Sequence, residues 1–159
     1  MNTTFENCTL LDTKTWFEKA VPNPTRKNFS TQLGVHYEEV AESLEALKGN
    51  DAVVTMLLGA AAMAMAAVAD MLKQNEHAIE VPEGENAELF LDALCDQIVT
   101  ATGTGHMLGM DMVGAMTEVN RSNFSKFDEK GNPIFNENRK IMKGPNYSEP
   151  VLSPYLPQR

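Results

Sequence analysis

Two pairs of carboxylates stand at spacings that a helix turns into neighbours. Glu39 and Glu42 are three apart in EEVAE, and Asp92 and Asp96 are four apart in DALCD. Carboxylate oxygens are the hard ligands that Mg²⁺ takes, with Mn²⁺ as the alternative, and the sequence has no Cys/His set of the kind zinc requires. Two such pairs facing each other across a bundle leave coordination positions open for phosphate oxygens and a nucleophilic water.

The surroundings of the two pairs differ. In LFLDALCDQIVTATG the apolar residues run round the whole helix, which predicts burial on all sides. Asp92 and Asp96 then lie within a core on the face of Val99 and Gly103. Like charges held there need a counter-charge. No Lys or Arg occurs between Lys73 and Arg121, and a divalent cation meets the need. The alternative is a pair of buried aspartates satisfied by hydroxyls and amides, with Thr100 and Gln97 close by. Glu39 and Glu42 share a row with Val35 and Ala46, which predicts a second, partly buried face. Here the alternative is an ordinary solvated acidic face, with the core stripe formed by Leu33, Tyr37, Val40, Leu44 and Leu47.

The elements that must position these groups are helices. Lys14–Ala20 reads as a short helix stopped by Pro22 and Pro24. A longer one runs from about Thr25 to Leu47 and closes at Lys48-Gly49-Asn50. Asp51 caps a third that reaches about Leu72, a fourth spans roughly Ala87 to Met107 and ends at Gly109, and Asp111 caps a fifth that runs to about Lys126. Beyond it, DEKGNP and four further prolines predict an extended tail. The reading is all-α: one domain over residues 1–159, a four- to five-helix bundle over about 14–126 and a tail over 127–159. Ala52–Ala69 is 18 residues without a charge, the lower edge of a membrane span. Its alanine content, the flanking acids Asp51 and Asp70 and the lack of a basic cluster predict a buried helix instead. Gly59, Ala60, Ala64 and Ala67 are expected to admit a close neighbour. A helix this apolar on every side favours a homo-oligomer, a dimer or tetramer.

Composition narrows the function classes. With 43% apolar and 22% charged residues the chain is globular. Residues 1–119 carry 18 acids against 6 Lys/Arg, whereas residues 120–159 carry 4 against 7. The acidic body argues against nucleic acid as a partner. A basic C-terminal segment beside acidic helices suits a phosphorylated ligand bridged by a divalent cation. Cys8 and Cys95 form no CxxC pair, and the N-terminus shows neither a basic nor a long apolar stretch. The expectation is a reducing cytoplasm.

EEVAE followed by DALCD resembles the acidic signature of the all-α NTP pyrophosphohydrolases, the MazG-like superfamily, written ExxE then ExxD. Glu39 and Glu42 match the first pair, with Glu38 as the preceding acid. In the second pair Ala93 stands where a glutamate would fall, Asp92 offers its carboxylate one place earlier, and Asp96 is the closing aspartate. EVNRSNFSKFDEKGNPIF followed by RKIMKGPNYSEPVL is similar to the phage-type, phosphoribosyl-ATP-pyrophosphohydrolase-like branch, as are WFEKAVPNPT and QLGVHYEEVAE near the N-terminus.

The resemblance implies hydrolysis of a (deoxy)nucleoside triphosphate, with a purine dNTP as the expected substrate, to monophosphate and pyrophosphate. It implies Mg²⁺ on Glu39, Glu42, Asp92 and Asp96, and a water deprotonated by Glu38, Glu39 or another acid. Asn123 and Lys126 match the family's N-x-x-K-F. The arginine that often follows is absent, and Arg121 or Lys143 takes its place in this reading. Gln32 and His36, a turn or two before Glu39, are candidates for base or sugar contact, and Tyr147 for stacking. His106 reads as structural, His77 as solvent-exposed in a polar loop, and the ten methionines as core filling. The alternatives are a phosphoribosyl-ATP pyrophosphohydrolase and a non-catalytic nucleotide- or metal-binding helical oligomer.

Overall fold

A computed structural model describes residues 9–135 and 141–157. Five helices account for most of them: α1 Thr9–Ala20, α2 Arg26–Glu45, α3 Ala52–Gln74, α4 Glu85–Met107 and α5 Met112–Phe124. A single 3₁₀ turn follows at Ser153–Tyr155. Among the described residues there is no strand, only an isolated bridge between Phe135 and Ile141. The protein is therefore all-α, as its periodicity predicts. The sequence reads as one domain, and contacts within the chain gather into two compact units, residues 23–83 and residues 1–22 with 84–159.

Residues 23–83 form an antiparallel hairpin of α2 and α3. Thr25 caps α2 through a reciprocal pair, its Oγ1 accepting from the Asn28 N–H and its own N–H donating to Asn28 Oδ1 at 3.0 Å. Asp51 caps α3 by accepting from the Val54 N–H at 2.9 Å, as expected. The seam between the two helices is made of small residues. Ser30, Gly34 and Ala41 are buried on α2, and Ala62, Ala69 and Leu72 on α3. Ser30 Oγ donates to the Leu72 carbonyl at 2.6 Å, so the one buried hydroxyl of the seam is satisfied. At Gly34 a β-carbon would stand 2.7 Å from the Ala69 carbonyl oxygen. The expected stripe differs in detail: Leu33, Tyr37, Val40 and Leu44 are half-buried beside the seam and Leu47 is exposed. Backbones this close leave room only for small side chains at the line of contact.

In the other unit, α1 packs on α5 around polar groups. Asn120 is buried; its Oδ1 accepts from Thr13 Oγ1 and its Nδ2 donates to the Thr9 carbonyl, both at 2.9 Å. The Trp16 indole N–H donates to the Asn123 carbonyl at 2.8 Å, and its ring stacks on buried Phe127 with centroids 5.9 Å apart. Helix α1 starts at Thr9, five residues before the expected Lys14, because Thr13 and Asn120 hold its first turn. Helix α4 ends in a Schellman motif: Gly109 takes φ +72°, its N–H reaches the His106 carbonyl, and the Met110 N–H reaches that of Gly105. Helix α5 stops at Phe124 and not at Lys126. Ser125 turns its Oγ to the Ser122 carbonyl and receives the Ser148 N–H from the tail.

Three burial expectations are not met within the described chain. Helix α4 has Gly105 as its one buried residue, and Leu89, Leu91, Ile98 and Val99 are exposed. Helix α3 is long and apolar enough to cross a membrane by length and composition, yet only 11% of its apolar window is buried. Gly59, Ala60, Ala64 and Ala67 are exposed, the close approach within the chain being made at Ala62 and Ala69 instead. An apolar circumference records what a helix can bury, not what one chain supplies to cover it. Of the two cysteines, Cys95 is an exposed free thiol, and Cys8 lies outside the described residues.

The seam predicts opposite outcomes for two glycines. Gly34→Ala drives a methyl into the α3 backbone and is expected to lower stability by about 1–3 kcal/mol. Gly59→Ala meets nothing within 4 Å and is expected to raise stability by about 0.5–1 kcal/mol through helix propensity. Denaturant midpoints of the two variants measure both.

Candidate functional site

The α2 candidates sit on the hairpin. Gln32, Glu39 and Glu42 are exposed, and His36 and Glu38 are half-buried. The expected partly buried face is thus open: Glu39, Glu42 and Ala46 meet solvent and only Val35 is half-buried. Glu38 has a different surrounding. Its carboxylate accepts from Lys73 Nζ at 2.8 Å, and Lys73 also reaches Asp70 at 3.2 Å. The Glu38 hydrogen bond is the main reason the Lys73 ammonium is held above its ordinary pKa. This bridge of three charges joins α2 to α3 beside Gly34, and the sequence reading missed it. Lys73 lies 35 residues from Glu38, so no local spacing signals the pair.

Asp92 and Asp96 lie one turn apart on α4 and are exposed, which corrects the expectation of carboxylates held in a core. Among the described residues no Lys or Arg forms an ion pair with Asp92, Asp96 or Glu42. The Thr100 hydroxyl, expected as an alternative partner, donates to the Asp96 backbone carbonyl and not to its carboxylate. Gln97 Nε2 likewise turns to the Ala93 carbonyl. Among the described residues of each unit, no three His, Cys, Asp or Glu side chains gather into a metal cradle.

The C-terminal candidates do come together. Asn123 and Lys126 occupy the end of α5 and the turn after it, with Lys126 Nζ donating to Asn123 Oδ1 at 2.8 Å. Lys126 Nζ also stands 5.7 Å from the Trp16 ring centre. The Lys143–Tyr147 loop docks on this turn. The Gly144 N–H donates to the Lys126 carbonyl at 3.2 Å. A β-carbon at position 144 would lie 2.7 Å from that same oxygen, so only glycine fits. Lys143 Nζ stands 4.4 Å from the Tyr147 ring centre and 3.6 Å from a Glu149 carboxylate oxygen.

A second latch fastens the tail one turn earlier on α5. Glu118 grips the Arg121 guanidinium through both carboxylate oxygens at 2.7 Å, and its Oε1 accepts the Val151 N–H at 2.9 Å. Arg121 in turn donates to Ser148 Oγ and to the Glu149 carbonyl. Ser122 Oγ donates to the Ser148 carbonyl at 2.9 Å. Arg121 is thereby committed to holding the tail, while Lys126, bonded to Asn123, and Lys143, paired with Glu149, stand at the loop. Glu118 went unnoticed in the sequence, although its i, i+3 spacing to Arg121 was a usable signal. No protein family, curated protein or solved structure matches the chain.

The Arg121 guanidinium, and after it the Val151 N–H, hold the Glu118 carboxyl down to about 2 from an ordinary 4.5. A carboxyl depressed on folding favours the latched tail above its unfolded value. That contribution fades as pH falls from about 4.5 towards about 2. The protection of the Val151 amide, its exchange by NMR relative to an unstructured chain at the same pH, is therefore expected to fall through that window. In Glu118→Gln protection should be low throughout and nearly independent of pH.

Proposed function

We propose that this chain hydrolyses a (deoxy)nucleoside triphosphate to its monophosphate and pyrophosphate with Mg²⁺. The observation that carries the reading is the docking of the Lys143–Tyr147 loop on the Asn123–Lys126 turn, through the Gly144 N–H and the Lys126 carbonyl. Segments 17 residues apart in sequence that the family resemblance assigns to one substrate meet at one end of α5. The same unit carries Asp92 and Asp96, whose carboxylates have no described cationic partner.

The donor set suits Mg²⁺ in one respect. This ion is ordinarily held by one or two carboxylates, with waters and substrate phosphates filling the other positions, so a closed cage of protein ligands is not required. Asp92 and Asp96 would hold it from α4. Bound there, the ion supplies charge neutralisation on the triphosphate and acidifies a coordinated water. Lys126 and Lys143 place positive charge against the phosphate chain, and Tyr147 gives the base an aromatic face. Arg121 and Glu118 act by holding the loop that carries Lys143 and Tyr147. A carboxylate of the chain accepts the proton of the attacking water. The new bond forms from that water oxygen to the α-phosphorus, the α–β bridging bond breaks, and pyrophosphate departs. A purine dNTP is the expected substrate. The active species is a homo-oligomer in this reading, because α3 and α4 leave large apolar side chains uncovered.

Chromatography of products from a panel of dNTPs and NTPs with Mg²⁺ tests the activity. Monophosphate and pyrophosphate are expected; diphosphate with phosphate, or no turnover on any member, overturns it. Asp96→Asn should cut turnover by at least roughly a hundredfold while circular dichroism stays unchanged. Mg²⁺ should raise the thermal midpoint of the native chain by mass action and fail to do so in the variant.

A further inference from the structure

The uncovered face of α3 has an order of its own. Val53, Leu57, Ala60, Ala64, Ala67 and Met71 follow one another at steps of four, three, four, three and four residues, and all six are exposed. That is the 3.5-residue period of a coiled-coil seam, running for about 27 Å on the side of α3 away from α2. The helix face that meets α2 shows what such spacing does. There Ala62 and Ala69, seven apart, approach Gly34 and Ala41 closely. The outward seam has the same alanine centre, and within the hairpin nothing lies upon it.

We infer that the outward face of α3 pairs antiparallel with α3 of a second copy about a two-fold axis that passes between Ala60 and Ala64. The inference rests on the homo-oligomer reading and names its interface. The step pattern reads the same in both directions, so a two-fold axis brings every seam position onto a seam position. Val53 then meets the partner's Met71, Leu57 meets the partner's Ala67, and Ala60 meets the partner's Ala64. Each large side chain near the centre lies over an alanine, which allows close approach along the seam. A parallel pairing would set Leu57 against the partner's Leu57, one turn from Ala60, and hold the backbones apart.

Electrostatics favour the same direction. Antiparallel pairing lays Asp70 beside the first turn of the partner's α3, where a carboxylate is favoured by the helix dipole, and opposes the two macrodipoles. The area is sufficient. Val53 is 61% exposed and Leu57 59%, and Met56 and Met63 on the rim are 64% and 75% exposed. Together with the alanines the face offers on the order of 600 Å² per chain, at the upper end of what a monomer ordinarily leaves bare. Specific interfaces begin at about 600 Å² from each partner.

The test uses the full chain. Sedimentation of the wild type is expected at about 35 kDa or a multiple of it, against 17.5 kDa for one chain, and Ala64→Glu is expected at the mass of one chain with unchanged helical content. Register is read in chains with Cys8 and Cys95 replaced by serine. The double variant Ala60→Cys/Ala64→Cys should oxidise to a covalent dimer, whereas either cysteine alone should not, because only the 60-to-64 pairing brings β-carbons within disulfide reach. This arm keeps the inference testable if Ala64→Glu fails to fold. A wild type with the mass of one chain at 100 μM overturns both the interface and the homo-oligomer reading. An oligomer without the double-variant cross-link, or with one from either single cysteine, overturns this seam and leaves that reading standing. Flotation of the wild type with vesicles of phosphatidylcholine and phosphatidylglycerol, lost in Ala64→Glu, overturns it in favour of a membrane surface. Nucleotide turnover is scored separately and decides neither arm.

Discussion

Close approach of helix backbones at small residues is the constraint on which the described structure depends. The buried apolar residues are Ala20, Ala41, Ala62, Ala69, Leu72 and Phe127, four of them alanines. Such a core gains little from transfer of large side chains out of water. It relies on dispersion between backbones that meet with almost nothing between them, and on polar groups that are fully satisfied. Among the described residues no buried side-chain nitrogen or oxygen lacks a hydrogen-bond partner. Ser30 and Asn120 show the pattern, each buried and each spending its donor on a carbonyl of a neighbouring segment.

The same constraint explains where the large apolar residues are. A seam that admits only Gly, Ala and Ser pushes Leu, Val and Met to its flanks and to the opposite faces of the helices. The result is a chain whose apolar composition is ordinary and whose apolar burial is slight. Its charges follow suit. The Glu38–Lys73–Asp70 bridge stands beside the α2–α3 seam, and Glu118 with Arg121 stands where the tail crosses α5. Both are partly exposed, so their value lies less in stability than in fixing which segment lies against which.

This bears on the candidate site. The loop from Lys143 to Tyr147 is irregular backbone, and by itself such a segment would sample many positions. Gly144 against the Lys126 carbonyl and the Glu118–Arg121 latch remove that freedom before any ligand arrives. Preorganisation of this kind suits a group that must meet phosphates at a defined distance. The acidic pairs on α2 and α4 gain their positions more simply, from helix periodicity alone.

Much of the architecture could be read from the sequence. The five helices, the Asp51 and Asp111 caps and the Gly109 stop are local events, decided by residues within a turn of one another. The neighbour relations of Glu39 with Glu42 and Asp92 with Asp96 are local for the same reason. Burial was not legible, because it depends on what other segments cover a face, and the apolar sequences of α3 and α4 say nothing about that. The partners of Glu38 and Arg121 were not legible either, since Lys73 and Ser148 lie 35 and 27 residues away. Nor could the sequence show that Arg121 is occupied in holding the tail while Lys126 and Lys143 remain by the loop. Local chemistry fixes which helices form. Only the tertiary structure, by bringing distant segments within hydrogen-bond reach, decides which charges are already engaged.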